Sequence, residues 1–432
     1  MNESSPLPLK TKYGRLFKSL NLCIPILMGI FIFFNPYHHM TAIQEISFYG
    51  SVLILLTLIL LKKTDFSFQT PLSIPFFLFL LWSFYDLFFA LNKENSIHDI
   101  YAHLIKYFIV FYLLFNFFKT KERLLILIWT IVISTAIYSV WMMVSFYVVS
   151  GKAFSTKLGL FMDEIPPNII GIPTLFAMLL SIYQLTKERI VYRKIILAIC
   201  LCATAIATLA TQTRGTILAM FVSLLLSFPK NKKTITAIFL FLAVAVILMP
   251  VKDILTPHAI IDRIHIMDDR INAWYCFGEM LKDHPLTGIG FGMQTYFDES
   301  LLNKYNERVP IQYRQTDFVM APHNLVIDIA VRVGIVGLLF FFYIIFVFGK
   351  MGRQIIKSGK DDFTGHWGLC FVATFIAVFI QGLFENTLSG PPAIILYTIM
   401  AMMTILWHLN AKPIIQDQYA TAKYFSNGVI SE

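Results

Sequence analysis

The stretch VGIVGLLFFFYIIFVFGKMGRQIIKSGK, residues 333–360, decides the fold, because an uninterrupted apolar run is followed at once by a cluster of Lys and Arg. Its apolar part is long enough for a helix to cross about 30 Å of hydrocarbon. Similar runs of roughly 17 to 25 residues recur along the chain, so we expect about 12 transmembrane helices. Their centres lie near Met28, Leu55, Leu80, Phe111, Ala136, Phe176, Cys202, Val222, Leu242, Leu338, Ile376 and Ile399.

The composition leads to the same fold class. Hydrophobic residues make up 57% of the 432 positions and charged residues only 14%. This balance leaves too little polar surface to cover a water-soluble globule of that size. The sequence therefore predicts an all-α, polytopic membrane protein.

Most of the 35 Lys and Arg residues lie in alternate connections between the apolar runs. The basic connections are those around residues 10–18, 62–63, 119–123, 187–194, 230–233 and 350–360, and the C-terminal tail. The positive-inside rule then places both termini in the cytoplasm. The net charge of +9 is explained by topology and indicates no nucleic-acid partner. The five cysteines suggest neither a disulfide framework nor a metal site.

This topology divides the chain into four parts. Residues 1–250 would form transmembrane helices 1 to 9, and residues 251–322 a large loop on the outer, periplasm-like side. Residues 323–410 would form helices 10 to 12, followed by a cytoplasmic tail at 411–432.

The large loop contains signals for short helices. Asp268 precedes an apolar stripe of Ile271, Trp274, Gly278 and Leu281, which predicts an Asp-capped amphipathic helix resting on the membrane or on other helices. The helix should end before Pro285. The segment HPLTGIGFG, residues 284–292, lacks the features of a phosphate-binding loop and is interpreted as a turn.

His323 is the candidate general base. It lies in Pro322-His323-Asn324, where Pro322 suits the first position of the tenth membrane helix. The partial positive charge of a helix N-terminus disfavours an imidazolium and should keep His323 neutral and able to accept a proton. The alternative is a histidine that merely caps its helix.

Two arginines are candidates for binding phosphate. Arg214, after Thr213, should occupy the first turn of the eighth helix, and Arg270 the first turn of the loop helix. An arginine there opposes the helix dipole unless an anion binds at the same helix end. The planar guanidinium matches phosphate oxygens. Ordinary anchoring to lipid headgroups is the alternative for each.

Few charges lie inside the predicted helices. Asp328 and Arg332 are four residues apart in the order that favours an ion pair. Lys106 and Asp86 lie near the outer ends of the fourth and third helices. They could pair with each other, or Lys106 could extend toward a lipid phosphate.

These residues carry a resemblance. The run HNLVIDIAVRVGIVG, with His323-Asn324, a nine-residue spacer, Gly334 and Gly337, resembles the signature of the bacterial O-antigen ligase family. Arg214 followed by Leu218 is similar to a second family motif, and Arg270 lies in a segment similar to the loop helix of the family. Arg332 departs from the pattern, which favours an acidic or neutral polar residue there.

The resemblance implies a metal-independent glycosyltransferase of the bacterial inner membrane that needs no cofactor. It would transfer a glycan from undecaprenyl diphosphate to lipid A-core at the periplasmic face, with inversion. His323 would deprotonate the acceptor hydroxyl, and Arg214 and Arg270 would bind the diphosphate. O-antigen polymerases and protein O-oligosaccharyltransferases share these features and remain alternatives. A secondary transporter or flippase is a further alternative, but the sequence lacks internal repeats.

Overall fold

The computed structural model describes residues 9–159, 167–227, 257–315, 321–358, 361–385 and 387–411, and these residues form helices and no strands. The α-helices are α1 (Leu9–Phe33), α2 (Thr41–Leu60), α3 (Ser73–Asp86), α4 (Lys93–Asp99), α5 (Lys106–Phe117), α6 (Lys121–Met143), α7 (Pro167–Lys187), α8 (Val191–Ala210), α9 (Arg214–Ser227), α10 (Pro257–Asp283), α11 (Glu299–Asn306), α12 (Leu325–Ser358), α13 (Asp362–Gly382) and α14 (Gly390–Ala411). A π-helix, Ile100–Ile105, joins α4 to α5, and another, Val144–Val149, extends α6.

The prediction of an all-α, multi-pass membrane protein is confirmed. Within the described ranges, 8 helical segments are long and apolar enough to cross a membrane, and α3, α9 and the Phe17–Phe33 part of α1 are shorter apolar helices. Every predicted centre except Leu242 lies in a described helix. Leu242 lies outside the described residues, so the count of 12 stays a prediction.

The last helix, α14, lies at the centre of the bundle. In α14, 83% of the membrane-length window is buried, compared with 33% in α2 and α8. A helix that is apolar on all sides is stable when other helices surround it, as α5, α12 and α13 surround α14. The α13–α14 connection, whose described residues are 383–385 and 387–389, therefore emerges from the middle of one end of the bundle.

The helix α12 is broken near its start. Its 34 residues would span about 51 Å if straight, far more than a membrane requires. At Gly334 the backbone has φ 69° and ψ −178°, a conformation that is essentially restricted to glycine. Leu325–Val333 is thus a short helix ahead of the break, and the remainder after the break is still long enough to span the membrane.

The glycine-rich segment 284–292 occupies this break. Backbone N–H groups of Ile289 and Gly290 donate to the carbonyls of Val331 (2.9 Å) and Arg332 (3.0 Å). The indole of Trp82 donates to the carbonyl of Val333 at 2.8 Å. The segment does turn, as predicted, but it also supplies the hydrogen bonds that the interrupted helix leaves open.

Residues 257–315 form a small cap around α10 and α11. Its core contains Ala273, Cys276, Phe277 and Met280, all with 0% exposure and spaced i, i+3, i+4 and i+7 along α10. The sequence analysis missed this buried face. Of the predicted stripe, Leu281 packs against the cap core, and contact of the other members with the membrane stays a prediction. Ile271 and Trp274 are exposed.

The predicted start of the loop helix is wrong. The helix α10 begins at Pro257, which suits the first helical position, and ends at Asp283, before Pro285 as predicted. No glycine or proline between residues 258 and 277 interrupts it. Asp268 is therefore not a cap, and Arg270 lies in the middle of the helix.

Candidate functional site

Glu385, in the α13–α14 connection, is the residue around which the candidate site is built. Its two carboxylate oxygens have different partners: Oε2 lies 3.0 Å from His323 Nδ1, and Oε1 lies 3.3 Å from Arg270 Nη2. The carboxylate is 12% exposed, whereas the His323 and Arg270 side chains are 35% and 33% exposed. A shielded carboxylate thus holds a histidine and an arginine that both reach solvent.

His323 lies just before α12 and not within it, so the predicted position of Pro322 in the first turn is wrong. Asn324 caps the helix: its side-chain oxygen accepts from the N–H groups of Val326 (3.0 Å) and Ile327 (3.2 Å). His323 has φ 45°, which belongs to the left-handed region and not to a helix. A positive φ is uncommon for histidine and persists only where surrounding contacts enforce it.

Two contacts enforce the conformation of His323. The carbonyl of Pro322 accepts from Trp274 Nε1 on α10 at 2.8 Å. The side-chain amide of Asn324 donates to the carbonyl of Leu383 at 3.2 Å. The backbone is therefore fixed on both sides of His323. Because Nδ1 faces Glu385, Nε2 is the ring nitrogen that can approach a substrate.

Arg270 contacts the same connection twice. Its Nη1 donates to the Phe384 carbonyl at 3.3 Å, in addition to the Nη2 contact with Glu385. A guanidinium has five N–H donors, so these two bonds leave donors for a further acceptor. The position of Arg270 is set by packing of α10 in the cap, not by a helix N-terminus as predicted.

Arg214 begins α9, so its predicted place in the first turn is confirmed, and its side chain is exposed. This turn packs against the end of α13. Thr216 Oγ1 accepts from Gln381 Nε2 at 2.8 Å, and a Cβ on Gly215 would lie 3.0 Å from the Phe384 ring. Arg214 thus lies beside the connection that Arg270 and His323 contact.

The structure brings all three sequence-predicted site residues to one end of the bundle. It adds Glu385, which the sequence analysis missed. The available signal was a lone acidic residue between the last two apolar runs, in FENTLSGPP, residues 384–392. Within the described ranges, no three His, Cys, Asp or Glu side chains cluster closely enough to hold a metal ion.

The predicted Asp328–Arg332 ion pair is confirmed, with Nη1 and Oδ2 3.3 Å apart and both side chains almost fully buried. Arg332 also donates through Nε to the Phe291 carbonyl at 2.8 Å, and its guanidinium lies 4.3 Å from the centre of the Phe291 ring. Arg332, the departure from the family pattern, therefore joins the short helix ahead of the break to the glycine-rich segment.

The two remaining charges do not pair with each other. Lys106 forms an ion pair with Glu45 on α2. Asp86 is fully buried, and neither of its carboxylate oxygens has a hydrogen-bond partner among the described residues.

Residues 196–342 match a family model described as O-antigen ligase. The match contains Arg214, Arg270 and His323, and Glu385 lies beyond it. No curated protein matches the chain. The resemblance inferred from the sequence is confirmed over this segment, and the match supports an activity of the O-antigen ligase or polymerase type on a lipid-linked glycan.

Proposed function

We propose that this chain, which carries an O-antigen ligase family domain, transfers a glycan from undecaprenyl diphosphate to a hydroxyl of lipid A-core at the periplasmic face of the bacterial inner membrane. The observation that carries the proposal is the shared carboxylate of Glu385, which binds His323 through one oxygen and Arg270 through the other. A proton acceptor and an anion-binding group are thereby held side by side.

His323 acts as the general base. The contact with Glu385 keeps a proton on Nδ1, so Nε2 takes the proton from the acceptor hydroxyl. The carboxylate then stabilises the imidazolium that forms, as the acid does in a catalytic triad. The hydroxyl oxygen bonds to the anomeric carbon while the bond from that carbon to the phosphate oxygen breaks. Attack opposite the leaving group inverts the anomeric centre.

Arg270 and Arg214 bind the diphosphate. Before donor binds, Glu385 balances the charge of Arg270, and the remaining guanidinium N–H groups can donate to phosphate oxygens without breaking that contact. Arg214 adds a second positive charge beside the α13–α14 connection. As the glycosyl bond breaks, negative charge grows on the diphosphate and both arginines bind it more strongly.

The catalytic test uses purified full-length protein and a lipid-linked donor. The His323→Ala variant should lose transfer, because it lacks the proposed base. It should still fold, because His323 lies outside the buried cores. The Glu385→Gln variant should lower kcat by about 10² to 10⁴, because a neutral amide neither fixes the Nδ1 proton nor stabilises the imidazolium. His98→Ala and Glu299→Gln, at exposed positions, are the matched controls. Near wild-type turnover of His323→Ala would contradict the general-base role.

The acceptor is tested in the cell. Deleting the gene and separating lipopolysaccharide on a gel should show loss of all polymer from the core, with lipid-linked polymer accumulating. A core that still bears a single repeat unit would instead indicate an O-antigen polymerase. Unchanged lipopolysaccharide with an under-glycosylated protein would indicate a protein O-oligosaccharyltransferase.

A further inference from the structure

The exposed side of α10 next to Arg270 carries aromatic side chains, and one charged residue, Lys282, lies on the turn that follows them. Trp274 and Tyr275 are 36% and 44% exposed, and the Tyr275 ring stacks on Tyr313, with ring centres 4.5 Å apart and planes at 22°. Gly278 lies between Trp274 and Tyr275 on the helix surface, and a Cβ placed there would meet nothing within 4 Å. Together Trp274, Tyr275, Gly278 and Tyr313 are called the aromatic face.

The aromatic face is continuous with the candidate site. Trp274 lies one turn after Arg270, on nearly the same side of the helix. Its indole donates a hydrogen bond to the carbonyl of Pro322, the residue before His323. Tyr275 and Gly278 follow around the surface, about 7 to 12 Å beyond Arg270 along the helix axis. A molecule bound by its phosphates at Arg270 can therefore reach these residues.

We propose that the aromatic face is a subsite for the glycan of the lipid-linked donor, and that it binds sugars beyond the one attached to the diphosphate. This inference rests on the proposed function. A sugar ring has an apolar C–H face and polar hydroxyl edges. Tyrosine and tryptophan suit such a ligand, because they present large, rigid, amphipathic contact areas at low entropic cost.

The open space at Gly278 favours a bound sugar ring, and not a flat lipid surface, as the ligand of the aromatic face. Glycine is unfavourable inside a helix, by about 1 kcal/mol relative to alanine, and no neighbour requires it there. Because glycine has no side chain, the helix surface has a depression between Trp274 and Tyr275.

The test compares two donors with purified full-length protein: a lipid diphosphate that bears a single sugar, and one that bears several repeat units. For Tyr275→Ala and Tyr313→Ala, the KM for the long donor should rise about 2- to 12-fold, the loss expected for one aromatic contact, with kcat unchanged. The KM for the single-sugar donor should not change. Tyr275→Phe keeps the ring and should retain most of the affinity for the long donor.

Gly278→Leu provides a second arm in which misfolding is not expected, because the space is open and leucine favours a helix. It should fill the depression and raise the KM for the long donor only. Phe297→Ala, which removes an aromatic ring that is 58% exposed elsewhere on the cap, is the matched control. Equal effects on both donors, or no effect of any variant of the face, would overturn the inference.

The failure of the inference is distinguishable from failure of the proposed function. Arg270→Lys should impair transfer from both donors, because both carry the diphosphate. If Arg270→Lys left both donors fully active, the diphosphate site itself would be wrong. If it impaired both while the aromatic variants changed neither, only the glycan subsite would be wrong.

Discussion

Replacing Gly334 by alanine should destabilise the protein far more than a glycine-to-alanine change in a helix normally does. Gly334 lies at the break in α12, with φ 69° and ψ −178°. A Cβ at this position would lie 2.6 Å from the Thr287 backbone nitrogen and closer still to the Leu286 carbonyl oxygen. Both neighbours are backbone atoms, so the overlap cannot be relieved by rotating a side chain.

The magnitude follows from the two ways in which the variant can respond. Keeping the break costs about 1 to 3 kcal/mol of backbone strain, in addition to the overlap with residues 286 and 287. Straightening the helix removes the overlap but loses the hydrogen bonds from Ile289, Gly290 and Trp82, at about 1 kcal/mol each. Either response destabilises the protein by about 3 kcal/mol or more.

Gly349, later in the same helix, provides the matched control because a Cβ there would meet nothing within 4 Å. Gly349→Ala should be neutral or stabilising by up to about 1 kcal/mol. The measurement is the apparent Tm of wild type and both variants in one detergent, read from the fraction of each protein that stays monodisperse after heating. A Gly334→Ala variant as stable as Gly349→Ala would refute the assignment of a glycine-dependent break.

Three further predictions use residues outside the break. A cysteine introduced at Asn303 should be labelled by an impermeant thiol reagent added from the periplasm, and one at Ser358 should not; the reverse pattern would overturn the proposed orientation. Arg214→Lys and Arg270→Lys should each cost about 2 to 4 kcal/mol of transition-state stabilisation in the transfer assay, whereas headgroup anchors would tolerate lysine. Burial raises the pKa of Cys276 to about 11, so this thiol stays protonated at pH 7 to 9 and should react with maleimide only when the cap unfolds, as mass spectrometry would show.

Features that depend on neighbours in the chain could be predicted from the sequence. The apolar runs whose centres lie in the described part of the chain are in the helices they indicated, because the length of an apolar run is a local property. Arg214 begins its helix, and Asp328 pairs with Arg332 one turn away. The start of α10 was missed because an Asp-Asp pair within a helix has the same local pattern as an N-cap.

The contacts of Glu385 could not be predicted in this way. They join it to His323 and to Arg270, 62 and 115 positions earlier in the chain, and no periodicity relates such positions. The predicted start of α12 at Pro322 also failed, for a local reason. Both Pro322 and Asn324 are suited to a helix start. The side-chain oxygen of Asn324 forms the cap, so the helix begins after Asn324 and Pro322 lies outside it.

The break in α12 gives the spacing between His323-Asn324 and Gly334 a physical meaning. The nine residues between them, Leu325–Val333, form a short helix of about 13 Å whose two ends are fixed separately. At the first end, Trp274 of α10 holds the Pro322 carbonyl. At the second end, the segment that continues from α10 fills the break.

The helix that carries Arg270 is therefore joined to the segment that carries His323 at two points about 13 Å apart. A single contact would leave α10 free to pivot about it, and Arg270 would then sample many distances from His323. Two contacts remove that freedom, and Glu385 adds a third between the side chains themselves. In the proposed mechanism, His323 and Arg270 held in this way need no reorganisation when charge develops in the transition state. The glycines of residues 284–292 and Gly334 thus act on the site from a distance, by fixing the geometry between an arginine and a histidine that they do not contact.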